Sequence, residues 1–161
     1  PGVRVKNTPC GRITKMTPHK QLFRHRPTDG MTGDCWRTCI ACLLDKQPSD
    51  VPHFVEGRWD DAEEVKRRTA AYLRTQGLAH VEFAFAGNLD SVLAMMAAVN
   101  PGLYYLLGGQ SKSDVGHSVI CCDGAIVWDP SLDDVGIVGP MEDGYYWVTF
   151  LVSSRLCSPV T

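Results

Sequence analysis

The order of patterns along the chain predicts an α+β protein. Helical patterns dominate up to about residue 100, and strand patterns dominate the rest of the sequence. This segregation favours helices packed on an antiparallel sheet over an alternating parallel architecture. At 161 residues the chain is long enough for one hydrophobic core and short for two. We therefore expect a single domain over 1–161, with an irregular arm at 1–30.

Composition narrows the class of protein. Hydrophobic residues make up 44% and charged residues 21%, as in ordinary folded soluble proteins, and the net charge of -2 comes with scattered Lys and Arg. Neither a basic patch nor a membrane-length apolar run is visible, so we expect no nucleic-acid or membrane partner. The absence of a signal-peptide pattern favours the cytoplasm. Seven cysteines, clustered on one helix and one strand, suit a reducing compartment.

The stretch from Gly33 to Leu44 predicts a buried helix that begins at Cys35 and ends near Lys46, with Asp34 as its N-cap. A cysteine at a helix N-terminus lies among unpaired N–H groups at the positive end of the dipole, which lower a thiol pKa. The same N–H groups can hold an oxyanion. Cys35 is therefore the candidate nucleophile. Its helix has an expected apolar face of Trp36, Cys39, Ile40, Cys42 and Leu43, opposite Arg37, Thr38, Ala41 and Asp45.

The other elements follow from periodicity and capping signals. A short turn at 49–54 precedes a helix that opens with the acids of 60–64 and stops at Gly77. Asn88 caps a third helix that extends through Val99. Weak alternation predicts a short strand at 11–16, and 108–114 is expected to be a polar, flexible loop. The main strands are expected at 80–86, 103–107, 117–122, 125–128 and 145–152.

A histidine and an aspartate complete the candidate chemistry. His117 begins one predicted strand and Asp129 ends the next, so the pair can supply a base and the carboxylate that orients it. A two-residue turn at Asp123-Gly124 would point Asp129 away from His117. We predict instead a three-residue loop, 122–124, with Gly124 left-handed. His117 would then lie directly opposite Asp129, with ~5 Å between their Cβ atoms.

Metal and cluster chemistry are weaker interpretations of the cysteines. The spacing of Cys35, Cys39 and Cys42 matches radical-SAM enzymes, but on a helix the first and last stand ~10 Å apart along the axis. A zinc site built from these residues with Cys121 or Cys122 lacks a second Cys-x-x-Cys pair. We expect core cysteines and no metal or cofactor. The sequence assigns no role to Cys10 and Cys157.

Three short motifs carry a family resemblance: Asp34-Cys35, His117-Ser118-Val119-Ile120 and Asp129-Pro130. They resemble papain-like cysteine peptidases of the compact bacterial kind, above all the bacteriocin-processing C39 peptidases and their relatives. The resemblance implies a papain-like fold in which a central helix carrying Cys35 packs on an antiparallel sheet carrying His117 and Asp129. It also implies their roles as nucleophile, general base and acid, and orienting residue.

This chain departs from the family pattern at one position. A Gln usually stands about six residues before the nucleophile and completes the oxyanion hole, whereas Asp29 stands there in this chain. Gln21, or backbone N–H groups near Gly33, are the alternatives. Trp36, Trp59 and the loop 108–114 are candidate walls of a substrate pocket.

These observations predict a thiol-dependent hydrolase that cleaves a peptide or isopeptide amide bond in a protein or peptide substrate. The same triad serves deamidases and transglutaminase-type acyl transferases. The stretch from residue 33 to 54 also resembles small uncharacterised proteins of phages and their hosts. A third alternative is therefore a non-catalytic binding protein on a peptidase-like fold, such as a phage-encoded inhibitor of a host process.

Overall fold

The computed structural model describes residues 15–58 and 60–154. Its described part has two short 3₁₀ turns, Pro27–Asp29 and Pro48–Asp50, besides the helices and strands. The helices are α1 Cys35–Leu43, α2 Ala62–Thr75 and α3 Leu89–Val99. The strands are β1 Leu78–Phe85, β2 Tyr105–Gln110, β3 Gly116–Cys122, β4 Ala125–Trp128 and β5 Tyr146–Ser153.

The strands form one open antiparallel sheet in the order β1-β5-β2-β3-β4, which confirms the predicted α+β class. Side chains alternate between the two faces of a strand, so β3 contributes to two cores. Ile120 packs with α1 and α2 on one side of the sheet, and Val119 packs with α3 on the other. Helix α1, which carries the candidate nucleophile Cys35, and strand β3, which carries the candidate base His117, are thus direct neighbours.

Helix α1 is buried on all sides, so the expected polar face is wrong. Arg37, Thr38 and Ala41 are buried along with the apolar residues, because α1 packs on β3 and is also covered by the turn Pro48–Asp50. The helix also ends earlier than predicted, at Leu43. Asp45 adopts a left-handed φ of 56°, and the N–H of Lys46 bonds the carbonyl of Ala41 at 3.0 Å, which closes the last turn.

The glycine-rich stretch after residue 107 is strand, not the flexible loop expected. Strand β2 continues to Gln110, and Gly109 pairs directly with His117. A Cβ at Gly109 would stand 2.6 Å from the Ile137 side chain and 2.7 Å from the Gly139 carbonyl. The glycine is therefore needed for close packing, which a composition signal cannot distinguish from flexibility.

Several local predictions are confirmed. Asp61 caps α2 by accepting the N–H of Glu64, and Asn88 caps α3 by accepting the N–H of Ser91. The strand expected at 11–16 lies mostly outside the described residues, and positions 15 and 16 are not in a strand. Within 15–58 and 60–154, every helix is too short or too polar to cross a bilayer.

Candidate active site

The hairpin between β3 and β4 decides where Asp129 points. Cys122 pairs with Ala125 across a two-residue turn, so the predicted three-residue loop is wrong. Asp123 and Gly124 have φ values of 50° and 75°, both positive as a type I′ turn requires. A Cβ at Gly124 would lie 2.8 Å from the Ala97 side chain, so the glycine also permits close packing against α3.

A β-bulge in β4 turns Asp129 to the face of the sheet that carries His117, which the two-residue turn alone would prevent. The register passes from Cys121 opposite Ile126 to Ile120 opposite Trp128, which leaves Val127 as the extra residue. Because side chains alternate with a period of two, one added residue reverses the face of everything after it. Asp129 therefore points to the side of β3 that carries His117. The predicted contact between His117 and Asp129 is present, but the bulge brings it about and not a three-residue loop.

His117 and Asp129 form a buried pair. His117 Nε2 lies 2.8 Å from Asp129 Oδ1, and their side chains are 5% and 12% exposed. The same carboxylate accepts backbone N–H groups from Ser131 and Gly136, each at 2.8 Å. Burial raises the pKa of Asp129, but these hydrogen bonds outweigh it and hold the pKa well below its usual range. The carboxylate is therefore ionised at neutral pH.

Cys35 also raises the pKa of this imidazole. Burial lowers the pKa of His117, but hydrogen bonds with Asp129 and Cys35, and the charges of both, outweigh burial and raise the pKa to about 9. Because Nε2 is engaged by Asp129, Nδ1 is the ring atom left for the thiol. At neutral pH the ring is therefore mostly protonated, between the Asp129 carboxylate and the Cys35 sulfur.

One turn further along α1, Cys39 shows how the helix meets the strand. The Cys39 thiol donates to the carbonyl of Ser118 at 3.3 Å, next to His117. Residues four apart share a helix face, so Cys35 lies over the start of β3. The named strand β4 pairs with β3 only from Ile120 onward, which leaves the earlier part of that edge open to α1.

The remaining cysteines do not gather around one point. Cys39 is fully buried, and burial followed by the charges of Cys35 and Cys42 raises its pKa well above its ordinary value. Cys42 Sγ instead accepts the N–H of His19 at 3.2 Å. Burial raises the pKa of Cys121 to about 12, on the side of the sheet that α3 covers. Those thiols belong to the core. Cys35, Cys39, Cys42 and Cys121 are free thiols, and Cys10 and Cys157 lie outside the described residues.

Asp34 occupies the N-cap position, but its side chain makes no capping hydrogen bond. The fully buried carboxylate forms an ion pair with Arg37 at 2.9 Å, and it accepts the N–H groups of Leu22 and Phe23 at 3.2 and 2.8 Å. The predicted cap is therefore wrong in its contacts. Asp34 fastens the segment 19–24 across the start of α1, and the first N–H groups of the helix have no side-chain cap.

The segment 19–24 is also fastened to the loop that carries Asp129. The N–H of Gln21 donates to the Pro130 carbonyl at 2.8 Å. Lys20 Nζ donates to the carbonyls of Asp129 and Ser131 at 3.1 and 2.7 Å. A lone lysine in an irregular arm gives no sequence signal for this contact. The segment nevertheless joins the two sides of the candidate site.

Trp36 and the stretch 108–114, which were proposed as pocket walls, do not line the cavity that the described residues form. Trp36 donates its indole N–H to Thr69 at 3.0 Å, and Trp59 lies outside the described residues. Asp29 is exposed on the first 3₁₀ turn, where the family pattern has a donor. A cavity of about 310 Å³ lies between the segment that precedes α1 and the segment after the second 3₁₀ turn. It is lined by Phe23, Gly30, Met31, Thr32, His53, Glu56 and Gly57.

The site thus joins side chains from three places: the first residue of α1, the second residue of β3, and the loop after β4. Among the described residues, no group of three or more His, Cys, Asp or Glu side chains is placed to hold a metal ion. No protein-family model, no curated protein and no solved structure matches this chain.

Proposed function

We propose that this protein is a thiol-dependent hydrolase that cleaves a peptide or isopeptide amide bond. Cys35 is the nucleophile, His117 the general base and acid, and Asp129 the residue that orients the imidazole. One observation carries the proposal: His117 Nε2 lies 2.8 Å from Asp129 Oδ1, on a strand whose Ser118 carbonyl contacts Cys39, one turn after Cys35 on α1. A nucleophile, a base and a base-orienting group in contact are the signature of covalent catalysis.

The first half of the reaction forms an acyl-enzyme. An imidazolium beside the sulfur stabilises a thiolate at Cys35, which attacks the carbonyl carbon and moves the carbonyl π electrons onto oxygen. When the tetrahedral intermediate collapses, the C–N bond breaks and His117 gives its proton to the departing nitrogen. A thioester on Cys35 and a free amine result.

The second half of the reaction regenerates the free enzyme. His117, now neutral, takes a proton from water as the water oxygen attacks the thioester carbon. Collapse breaks the C–S bond and leaves a carboxylic acid and the Cys35 thiolate beside a protonated His117. Asp129 keeps the ring oriented through both halves because its carboxylate is held by two backbone N–H groups as well.

Two groups are suited to stabilise the oxyanion. The first N–H groups of α1 carry no side-chain cap, and they lie at the positive end of the helix. Gln21 belongs to the segment fastened to Asp34 on one side and to Pro130 on the other, and one N–H of its side chain is used by the Phe23 carbonyl at 2.8 Å. We assign the second donor to the other N–H of Gln21, in place of the position that Asp29 occupies.

Labelling and product analysis test the proposal. Iodoacetamide at neutral pH should label Cys35 much faster than Cys122, which is also partly exposed and serves as the matched thiol. Cys35→Ala should keep the fold and abolish turnover of a proteome-derived peptide library, whereas Cys122→Ala should keep both. Uniform slow labelling, or unchanged turnover in Cys35→Ala, overturns the mechanism.

The products distinguish hydrolysis from its nearest rivals. Amide cleavage gives two fragments, deamidation shifts a peptide by about one dalton, and acyl transfer to an amine gives a cross-link. Exposed Asp29 favours the binding-protein alternative, because a carboxylate is not a donor at neutral pH. That alternative predicts a Cys35→Ala variant that retains every function of the parent chain. We place the activity in a reducing cytoplasm, where free thiols such as these persist.

A further inference from the structure

The cavity described above is lined in part by the segment that leads into Cys35, the candidate nucleophile. Thr32 lines it and stands three residues before Cys35, so their Cα atoms are at most about 11 Å apart. Phe23, on the opposite wall, is held by its N–H to the carboxylate of Asp34, the residue next to Cys35. An extended peptide covers this distance in about three residues. A side chain near the scissile bond can therefore reach the cavity.

Most of the cavity wall is apolar and open. Phe23 and Met31 are 43% and 38% exposed, which is unusual for large apolar side chains so near a reactive thiol. Gly30 and Gly57 both have positive φ, and no atom lies within 4 Å of a Cβ built on either. The wall therefore offers flat contact to the aliphatic part of a substrate side chain.

Arg68 donates to the backbone carbonyl of Glu56 at 3.0 Å, and its guanidinium is paired with Glu64. The side chain of Glu56 supplies the one carboxylate of the lining. Within 15–58 and 60–154, no cationic group lies at ion-pair distance from it. Arg37 lies 5.5 Å from the Phe23 ring, but it is buried and neutralised by Asp34. The lining runs over 23–32 and 53–57, which carry two acids (Asp29, Glu56) and two bases (Arg24, Arg26), and among these four only Glu56 lines the cavity.

His53 shapes the wall through its contacts with Phe23 and Thr32. Its ring stacks on Phe23, with centroids 6.1 Å apart and planes 14° apart. Nε2 lies 3.1 Å from the Thr32 carbonyl, so this nitrogen is the donor of the ring. The stack fixes Phe23 against the segment that leads to Cys35. It holds the apolar wall in place for a ligand.

We propose that this cavity binds a lysine or arginine side chain of the substrate, with the alkyl stem against Phe23 and Met31 and the charged head at Glu56. The bound residue lies within about three residues of the bond that Cys35 attacks. Long cationic side chains combine an apolar stem with a charged tip, as this wall requires. The inference rests on the proposed function and names the substrate class of that site.

Peptidyl acyloxymethyl ketones test the inference on the full chain. The Cys35 sulfur forms a C–S bond to the probe as its carboxylate leaves, and mass spectrometry gives the rate of alkylation. Probes carry lysine, norleucine or glutamate at each of the three positions nearest the reactive carbon. Norleucine keeps the stem and removes the charge. Iodoacetamide, which has no side chain to recognise, reports the reactivity of Cys35 itself.

The lysine probe should react about three- to fivefold faster than the norleucine probe at one position, the size of a partly exposed ion pair. Glu56→Gln should bring that ratio to about one without changing the iodoacetamide rate, and Glu56→Lys should favour glutamate. Glu63→Gln, a highly exposed carboxylate on α2, is the matched control and should change nothing.

Equal rates for lysine and norleucine in the parent chain, with Cys35 still labelled by iodoacetamide, overturn the inference and leave the proposed function standing. A lysine preference that survives Glu56→Gln overturns the assignment to this cavity. A Cys35 that iodoacetamide does not label selectively overturns both the inference and the function on which it rests.

Discussion

Replacing Asp129 with asparagine removes the charge that keeps His117 protonated, while the size of the side chain is unchanged. An ionised, hydrogen-bonded partner shifts a neighbouring pKa by about 1–3 units. From its value of about 9, the pKa of His117 should therefore fall to about 6–8. The ring would then be largely neutral at pH 8, and proton delivery to the leaving group would weaken.

The same shift has a consequence for stability. The pKa of His117 is raised from 6.5 to about 9, so the stabilisation is fully present below pH 6.5 and is lost as the pH rises through about 9. At about 1.4 kcal/mol per unit, its size is about 3 kcal/mol. Asp129 has a lowered pKa, so the shared interaction, counted once, is also lost when the pH falls well below 3.8.

Two measurements check this prediction. Titration of the His117 ring by NMR gives its pKa in the parent chain and in Asp129→Asn. Urea unfolding at pH 6 and pH 9.5 gives the loss of stability with pH, which should be smaller in Asp129→Asn. Asp133→Asn is the control, because this exposed carboxylate of the same loop bonds Arg24 at 3.0 Å and does not touch His117.

The reasoning fails if Asp129→Asn leaves the pKa of His117 within about 0.3 units of the parent value. It also fails if Asp133→Asn lowers that pKa as much as Asp129→Asn does. Either result would mean that the carboxylate seen 2.8 Å from Nε2 does not control the protonation of the ring.

Three further predictions concern the scaffold. Deleting Val127 should abolish turnover and lower the pKa of His117 in an NMR titration, because it removes the bulge that turns the next carboxylate inward. Asp34→Ala should cost about 3–5 kcal/mol in urea unfolding, since it leaves Arg37 buried without its partner, whereas Arg37→Ala with Asp34→Ala together should cost less than the sum. Gly109→Ala should lower the free energy of unfolding by about 1–3 kcal/mol, because its Cβ would collide with a neighbouring side chain; a melting temperature equal to that of the parent would contradict this.

The features that depend on a few neighbouring residues were predictable. The caps at Asp61 and Asn88 satisfy N–H groups three residues on, and that signal is entirely local. The start of α1 at Cys35 and the separation of helices from strands are local in the same way. These predictions therefore placed Cys35 at the start of its helix and His117 at the start of its strand, as the structure has them.

The features that depend on distant packing were not predictable. The bulge at Val127 is set by how β4 leaves the sheet, and no residue type at that position announces it. Asp34 was expected to cap its own helix, but its carboxylate instead pairs with Arg37 and accepts the N–H groups of Leu22 and Phe23, more than ten positions earlier. Lys20 and the cavity beside Phe23 escaped for the same reason, because their contacts join segments far apart in the chain.

The bulge in β4 also changes how relatives of this chain should be judged. His117 and Asp129 are twelve positions apart, and their meeting depends on that interval as much as on their identities. A homologue could keep all three reactive side chains, lose one residue from this hairpin, and be inert. Spacing along the alignment, and not the letters alone, is the quantity that transfers an activity from one member to another.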